Sequence, residues 1–596
     1  MKSRRIWLIS LTVFVWCFLL STGSLIAQTE QIAKVSFENK NVSSTASVEL
    51  PVHGAERISL ARVGVQTASP IPLSLDDAIR KALTSNNSIE LTRDDVRFQE
   101  TQIRSLLGFY DPVFSVSPSF NVNSTTGSSS TRDFAVNAGV TNFIRPGGGR
   151  YEVFFNNTRT ENAFSQQQVS SGSIGGSSGS AIFSSSTGIR FTQPLLRNFG
   201  IDNTRRNIRI ARRLLEQTDA DFRRTTIDTI AQVQRTYWEL VFALRDQQNR
   251  VANVNLAQES LRQIEARISA GASAPLARAE VATELANREG ELLQATQQVS
   301  VTENNLKQLI LRDAITNEWT QSFVPTDKPA FSLDPVNLDN AIKDAMDNRF
   351  ELRRLKLAND INDIDIAYFR NQTKPQIDLN TTFSLAGLSL GNASTDTILV
   401  LRFQGNDEIF RQRLNTLLPN NQQIAQELTP VPGSPGFLVG GFNRSLANIF
   451  RTDSPNYSVG VTFSFPLRNR TAKANLAGAQ ITQNQIASRL RTQEQVVIVE
   501  VRNAVQGLET ARQRVLTSRR ARENAEIQLS GEQKLFETGR STTFLLFQRE
   551  NALTAARNSE IRAETDYNKA IADLQKSTST TLVLNNVVVE TPTERK

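Results

Sequence analysis

Several segments of the chain alternate apolar and polar residues with a period of two. The clearest is the last, in which Tyr457, Val459, Val461, Phe463 and Phe465 oppose Ser458, Gly460, Thr462 and Ser464. Similar patterns occur at 114–122, 134–141, 189–192 and 377–385. They predict β-strands with one apolar and one polar face. A strand between lipid and water has this pattern, and so does an antiparallel sheet on a soluble core.

A run of three glycines, Gly147-Gly148-Gly149, lies between two of these segments. It predicts the turn of an additional hairpin from Val140 to Asn157. The Ser/Gly-rich residues 162–186 predict a flexible surface loop, and residues 396–455 form an insertion for which an external loop is the default interpretation.

Two proline-free stretches, 195–274 and 467–591, are rich in Ala, Leu, Gln, Arg and Glu. These are strong helix formers, and apolar residues recur there at steps of three and four. A helix from Asp202 to Ala270 would be roughly 100 Å long, about three times the width of a compact domain. Such a helix must project from the protein and be stabilised by lateral partners, as in a coiled coil.

A glycine interrupts each of these helical stretches, at Gly271 and at Gly539. Each predicts the tip of a helical hairpin, because glycine adopts the left-handed conformation that ends a helix. The alternative interpretation is that each glycine only ends a helix and has no further role.

The chain repeats the same landmarks in the same order. Leu75-Asp76-Asp77-Ala78-Ile79 returns as Leu338-Asp339-Asn340-Ala341-Ile342, and Pro194-Leu195-Leu196-Arg197-Asn198 returns as Pro466-Leu467-Arg468-Asn469. Together with the two glycines they indicate a duplicated unit of helix, strands and long helices. The first helix of the first unit is predicted from Leu75 to about Leu107, and Pro194 and Pro466 mark the strand-to-helix corners.

The predicted organisation has five parts. They are a signal peptide at 1–27; an extension at 28–72, for which flexibility is one interpretation; a first repeat at 73–325 (strands about 112–193, helical hairpin about 202–310); a second repeat at 326–582 (strands about 375–466 with the insertion, helical hairpin about 470–582); and a tail at 583–596.

The N-terminus has the pattern of a secretory signal. Lys2, Arg4 and Arg5 precede an apolar run from Ile6 to Leu20, and cleavage is predicted after Ala27. The only cysteine, Cys17, lies inside that run, so the mature chain is predicted to have neither disulfide nor thiolate site. After the signal no uncharged apolar run reaches 18 residues, which argues against a helical membrane protein.

The distribution of charge and the residue composition argue against enzymatic catalysis and against nucleic-acid binding. The formal charge of +8 is spread without a Lys/Arg block, which favours a solvated helical surface. The single histidine, His53, lies in the poorly patterned stretch between the signal and residue 73, which argues against a Ser-His-Asp triad, and a multi-histidine metal site needs more than one histidine. We therefore predict no enzyme activity, no metal and no cofactor.

Four long strands per chain cannot close a barrel, because small closed barrels need about eight. Exposed sheet edges are not viable in lipid, so membrane strands would have to be pooled by several chains. Three chains would supply about twelve.

These residues resemble the TolC-like outer-membrane efflux proteins. The resemblance rests on Leu75-Asp76-Asp77-Ala78-Ile79, Ala82-Leu83, Asn86-Asn87, Gln193-Pro194-Leu195-Leu196, the Gly271 and Gly539 tips and the duplication, and it covers roughly residues 73–582. It implies an α+β membrane protein in two tandem structural repeats: a homotrimer whose twelve-stranded transmembrane β-barrel sits in outer-membrane lipid and continues as a long α-helical coiled-coil periplasmic tunnel. It also implies docking through the hairpin tips onto a periplasmic adaptor and an inner-membrane transporter, with export of small toxic compounds or polypeptides.

The resemblance also suggests a periplasmic aperture. The family often has acidic residues six and nine positions after the second tip glycine, where this chain has Leu545 and Gln548. Phe536 matches the family's aromatic position, so Phe536, Arg540, Leu545 and Gln548 are candidates for a neutral, partly apolar aperture. An ordinary coiled-coil position remains the alternative for Leu545.

Two other classes compete with a channel. A periplasmic coiled-coil scaffold or adaptor without a pore would explain the helices and the signal, but not strands compatible with lipid. A surface adhesin with a simple barrel anchor would use the Ser/Gly loop for binding, but neither class explains two matched units.

Overall fold

The computed structural model describes residues 62, 64–124, 126, 130–161, 181–271, 274–403 and 405–589. The helices are α1 (Leu75–Ser85), α2 (Asn87–Leu107), α3 (Asn203–Ser269), α4 (Pro275–Ile310), α5 (Leu338–Asn348), α6 (Phe350–Gln372), α7 (Asn406–Leu417), α8 (Phe442–Ile449), α9 (Arg470–Glu537), α10 (Thr543–Ser577) and α11 (Thr581–Leu584). The strands are β1 (Gln66–Leu73), β2 (Val113–Asn123), β3 (Thr131–Phe143), β4 (Arg150–Glu161), β5 (Ile182–Pro194), β6 (Gln321–Pro325), β7 (Gln376–Ser389), β8 (Ile398–Leu401), β9 (Leu428–Val431) and β10 (Pro455–Ser464). The predicted signal peptide lies outside the described residues.

The first predicted helix is two helices, α1 and α2, so a single helix from Leu75 to Leu107 is wrong. Asn86 separates them with an extended backbone (ψ 122°), and its side chain accepts hydrogen bonds from the backbone N–H groups of Ser88 and Ile89. Asparagine favours this capping position over a helix interior, because its side chain competes for backbone donors. The second repeat breaks at the matching place, between α5 and α6.

Six strands form one antiparallel sheet in the order β10-β7-β5-β4-β3-β2. The predicted hairpin around Gly147-Gly148-Gly149 is confirmed as β3 and β4, which pair from Arg132↔Glu161 to Phe143↔Arg150. Gly147 and Gly148 have φ of 76° and 67°, which glycine adopts without strain. The sheet therefore has two strands more than the four on which the count of twelve for three chains depends.

Strand pairing aligns the predicted faces across the whole sheet. Val153 pairs with Val140 on one side and with Ile189 on the other, and Ile189 pairs with Phe383. Since residues facing each other across antiparallel strands share a face, these apolar side chains lie on one side of the sheet. The opposite side carries polar residues, including Glu152, Arg190, Thr382 and Ser458. We name the two sides the apolar face and the polar face.

The insertion between β7 and β10 lies at the end of the sheet remote from the long helices, which we name the distal end. It contains the β8–β9 hairpin, α7 and α8. Helix α8 packs on β7 and β5, so closely that a Cβ on Gly387 would lie 2.0 Å from the Ser445 carbonyl oxygen. Its buried Ser445 hydroxyl lies 2.7 Å from the Ser185 hydroxyl, which also accepts from Asn157 at 2.6 Å. Helix α8 thereby satisfies polar groups at the distal end of the apolar face.

The long helices form two antiparallel hairpins, α3–α4 and α9–α10. The predicted helix from Asp202 to Ala270 is confirmed as α3, which is 67 residues long, and α9 has 68 residues. The helices nearest the sheet pack side by side in the order α2-α3-α6-α9. In the described residues no helix is both long and apolar enough to cross a bilayer.

The largest core lies where β1 and β6 pair in parallel beside α3. Tyr237 is fully buried there, and its hydroxyl donates to the Leu73 carbonyl oxygen at 3.0 Å and to Asp327 Oδ2 at 2.6 Å. Burial and the Asp327 hydrogen bond raise the pKa of Tyr237 well above its usual range. Strand β1 includes residues 66–72 of the extension predicted at 28–72, and residues 28–61 of that extension lie outside the described residues. At the other terminus Val587 and Val589 pack on the same core.

We predict that Tyr237→Phe lowers the thermal unfolding midpoint of the purified protein. The substitution removes one donor from the Leu73 carbonyl and one from the Asp327 carboxylate, which keep the N–H donors of Thr326 and Leu75. It also leaves the Asp327 N–H without the acceptor that the Tyr237 hydroxyl provides, and a buried polar group without a partner costs about 1–3 kcal/mol. Tyr457→Phe is the matched control, because Tyr457 is 81% exposed and should leave the midpoint unchanged. Equal midpoints for the two variants would contradict the assigned role of Tyr237.

Candidate functional site

The two predicted tips are turns between antiparallel helices. Gly271 and Gly539 have φ of 74° and 73°, and no atom lies within 4 Å of a Cβ built on either residue. The left-handed backbone therefore requires glycine here, whereas space does not. Gly271 N–H donates to the Ile268 carbonyl and Gly539 N–H to the Phe536 carbonyl, which completes the last turn of each helix.

The structure brings the ends of the two hairpins together. The Arg267 guanidinium carbon lies 5.0 Å from the centre of the Phe536 ring, within the range of a cation–π contact. Arg267 belongs to the last turn of α3 and Phe536 to the last turn of α9. Phe536 is thus half-buried against the first hairpin, and within one chain it joins the two tips.

The other three candidate aperture residues lie at the surface of the second hairpin. Arg540 is exposed in the tip turn, Leu545 is 38% exposed, and Gln548 is exposed one turn further along α10. The Thr542 side chain caps α10 by accepting from the Leu545 N–H. In the part of the chain that the structure describes, all three side chains remain exposed, so they are free to meet another copy or the solvent.

A buried charged cluster higher in the hairpins was not predicted from the sequence. Arg288 of α4 and Glu550 of α10 have side chains 5% exposed each, and Arg288 Nη2 lies 3.2 Å from Glu550 Oε2. Arg288 also pairs with Glu284 at 2.9 Å and stands over the Phe547 ring. Burial raises the pKa of Glu550, and Arg288 opposes that shift.

Polar side chains extend this contact along α10. They are Asn249–Asn558, Asn253–Thr554 and Glu284–Asn551, with separations of 2.8, 3.1 and 3.0 Å. Because α10 bonds to both helices of the first hairpin, the hairpins hold a fixed relative position within the chain. The sequence does show charged residues at every third or fourth position on one helix face, which could have indicated this cluster. The same pattern is also typical of a solvent-exposed helix surface, so it does not identify a buried contact.

The strand-to-helix corners repeat one geometry. Pro194 is the last residue of β5, Pro466 follows β10 by two positions, and Asn198 and Asn469 after them have φ of 68° and 41°. Asparagine is one of the few residues other than glycine that tolerates this conformation. Both asparagines bond to the end of α6, Asn198 through the Gln372 amide at 2.8 Å and Asn469 to the Gln372 carbonyl at 3.3 Å.

The polar face of the sheet carries an ionic group near the ends of β4 and β5 that lie closest to the long helices. Glu152 accepts from Arg190 at 3.0 Å, and Arg150 lies 3.4 Å from the same carboxylate. In the described ranges, no group of three or more His, Cys, Asp or Glu side chains is placed to hold a metal ion. The structure provides a sheet with a polar face and an apolar face, and a pair of projecting helical hairpins.

The sequence matches the profile of the outer membrane efflux protein family over residues 158–310 and 341–580, more than half of the chain. No curated protein sequence matches significantly. Solved structures with a similar fold include the MtrE outer membrane channel of Neisseria gonorrhoeae (14% identity, 85% of this chain and 88% of that chain, TM-score 0.54) and the CmeC outer membrane channel of Campylobacter jejuni (13%, 86% and 89%, 0.54). The outer membrane protein VceC of Vibrio cholerae is another (11%, 85% and 95%, 0.52).

The sheet with two unlike faces, the projecting hairpins and the family match define a membrane channel protein built on the TolC-like plan. The chain belongs to the outer membrane efflux protein family. It is an outer-membrane efflux protein.

We predict that Glu550→Leu destabilises the contact between the hairpins more than Arg288→Leu/Glu550→Leu does. Glu550→Leu leaves the buried Arg288 with the more exposed Glu284 as its remaining carboxylate partner. Removing one partner of a buried pair costs about 3–5 kcal/mol, whereas replacing both partners by apolar residues is often neutral. Thermal unfolding of the purified variants measures the difference. A double variant no more stable than the single one would refute the assignment of Arg288 and Glu550 as a buried ion pair between the hairpins.

Proposed function

We propose that three copies of this chain form a closed channel through the outer membrane. The channel conducts efflux or type I secretion substrates passively, as one component of a tripartite system with a periplasmic adaptor and an inner-membrane transporter. The observation that carries the proposal is the pair of unpaired strand edges at the two borders of a sheet with an apolar face. Energy for transport comes from the inner-membrane partner, because the chain supplies a conduit and no chemistry.

The sheet edges β2 and β10 suit pairing with a second copy. Both strands are exposed along their whole length. With six antiparallel strands in the sheet the two edge strands run in opposite directions, so β2 of one copy can pair with β10 of the next as a regular antiparallel pair. Unpaired backbone groups in lipid cost several kcal/mol each, and a closed barrel removes them.

The helix layer has its borders at the same places as the sheet. Helix α2 leads into β2 and β10 leads into α9, and these two helices are the outermost members of the layer. Both leave apolar side chains exposed, Leu91 and Phe98 on α2 and Ile481 and Val499 on α9. One continuous border of strand and helix therefore faces the neighbouring copy on each side.

Six strands per chain give eighteen in a trimer rather than the twelve that the resemblance implies. With strands about 4.8 Å apart and tilted by about 40°, eighteen strands enclose a barrel of roughly 18 Å radius and twelve one of roughly 12 Å. The additional hairpin, β3–β4, supplies two strands per chain and accounts for the difference of six strands. We place adaptor docking at the tips around Gly271 and Gly539, where the periplasmic hairpins end.

Engineered cysteines test the assembly. The only cysteine of the chain, Cys17, lies in the predicted signal, so the mature protein offers a clean background. We expect Ser117→Cys on β2 to form an intermolecular disulfide with at least one of Ser458→Cys, Gly460→Cys or Thr462→Cys on β10, giving a cross-linked ladder that ends at three chains.

The matched control pairs Ser117→Cys with Asn156→Cys on β4, an interior strand that should not cross-link. The same purified protein should migrate as a heat-modifiable trimer from outer-membrane fractions and conduct ions in planar bilayers. A monomer that opens no channel would overturn the proposed function. A conducting trimer with no β2–β10 cross-link would overturn only the edge pairing.

We predict weak block by multivalent cations applied at the periplasmic side. The aperture candidates Leu545 and Gln548 are neutral, so no acidic ring concentrates cations there. Leu545→Asp/Gln548→Asp should create block, whereas Leu417→Asp/Gln423→Asp in the distal insertion should not. Strong block of the unmodified channel in a bilayer recording would contradict the neutral aperture.

A further inference from the structure

Four arginines surround a groove where the sheet meets the long helices. Arg145 and Pro146 of the β3–β4 turn face Arg205, Ile208, Arg209 and Arg212 of α3 across a cavity of about 460 Å³. On α3 these residues recur at three- and four-residue steps and share one side of the helix. We name this cavity the arginine groove.

Three of the four guanidiniums are available to a ligand. Arg205 is buried and already engaged, by Asp202 at 2.7 Å and by the Phe199 carbonyl at 2.8 Å. Arg145, Arg209 and Arg212 are exposed, and within the described residues none of them makes an ion pair or a hydrogen bond. Most arginines along the long helices are paired, so three free ones at a single groove form a concentrated positive site.

The groove lies on the side of the apolar face. Gln193 shares that face with Ile189 and Phe191, and its side-chain amide donates to the Gly147 carbonyl at 2.8 Å. The β3–β4 turn therefore lies on the apolar side of the sheet, where it brings Arg145 against α3. In the channel proposed above, this side faces lipid.

Exposed apolar side chains lie between the apolar face and the groove. Leu195, Leu196 and Phe199 follow β5 directly and are 46%, 37% and 50% exposed. Arg209 and Arg212 lie roughly 10–15 Å further from the sheet, at 1.5 Å per helical residue. Apolar strands, then an exposed phenylalanine, then arginines reproduce the order of a bilayer from acyl chains through the interface to the headgroups.

We propose that the arginine groove binds the phosphate of a phospholipid headgroup in the periplasmic leaflet of the outer membrane. Guanidinium groups form charge-assisted, bidentate hydrogen bonds with phosphate oxygens, and the exposed Leu195, Leu196 and Phe199 meet the acyl chains. The bound lipid fixes the height of the barrel in the bilayer. The inference rests on the proposed transmembrane assembly.

The test uses the purified full-length mature protein in an uncharged detergent with dioctanoyl phosphatidylglycerol as the probe. Native mass spectrometry counts bound lipid and gives its affinity. We expect Arg145→Gln/Arg209→Gln/Arg212→Gln to weaken binding about a hundredfold, since each basic residue near an anionic lipid contributes a factor of about five. The corresponding triple lysine variant should retain most of the binding.

A charge-matched control removes three cations elsewhere, Lys343→Gln/Arg353→Gln/Arg413→Gln, and should bind lipid normally. Dioctanoylglycerol, which lacks the phosphate, should bind poorly to the unmodified protein. Equal lipid affinity of the glutamine variant and the unmodified protein would overturn the proposal, and so would displacement of the lipid by equimolar inorganic phosphate. Channel conductance of the same preparation reports separately on the proposed function.

Discussion

The proposed channel depends on one constraint: every backbone N–H and C=O group in lipid needs a hydrogen-bond partner. Inside the sheet, β3, β4, β5 and β7 meet that need through neighbours on both sides, and β2 and β10 meet it on one side only. A soluble sheet can leave such edges to water, but a transmembrane sheet cannot. In the channel proposed above, each edge strand finds its missing hydrogen-bond partners on the opposite edge strand of a neighbouring copy.

The same constraint explains why the corners between strand and helix are so closely specified. In the proposed channel, a strand that leaves the bilayer continues into a helix, and the backbone polar groups of the turn still need partners. The positive-φ residues Asn198 and Asn469 lie at the two such turns. Both attach to the end of α6, so the two repeats share one anchor at the junction. Further along the hairpins, the buried side chains of Arg288 and Glu550 hold the two hairpins together. Burial raises the pKa of the Glu550 carboxyl, and its pairing with Arg288 lowers it.

Much of this architecture could be predicted from local patterns. Period-two alternation identified both faces of the sheet, and the absence of proline together with Gly271 and Gly539 identified the hairpins. The helix break at Asn86 was accessible from its capping chemistry but was hidden by continuous apolar spacing. No local pattern specifies contacts between residues far apart in sequence. Such contacts are the parallel pairing of β1 with β6, the packing of α8 on Gly387 and the Arg288–Glu550 pair.

The matched borders of sheet and helix layer have a geometric consequence. A strand tilted by about 40° takes up roughly 6 Å of circumference, and a packed helix about 9–10 Å. Six strands and four helices therefore span nearly equal arcs, close to 38 Å each. In a channel built from such chains, the diameter of the barrel and that of the helical part are nearly equal. The channel does not narrow where the strands give way to helices, so a constriction is expected only at the end formed by the hairpin tips.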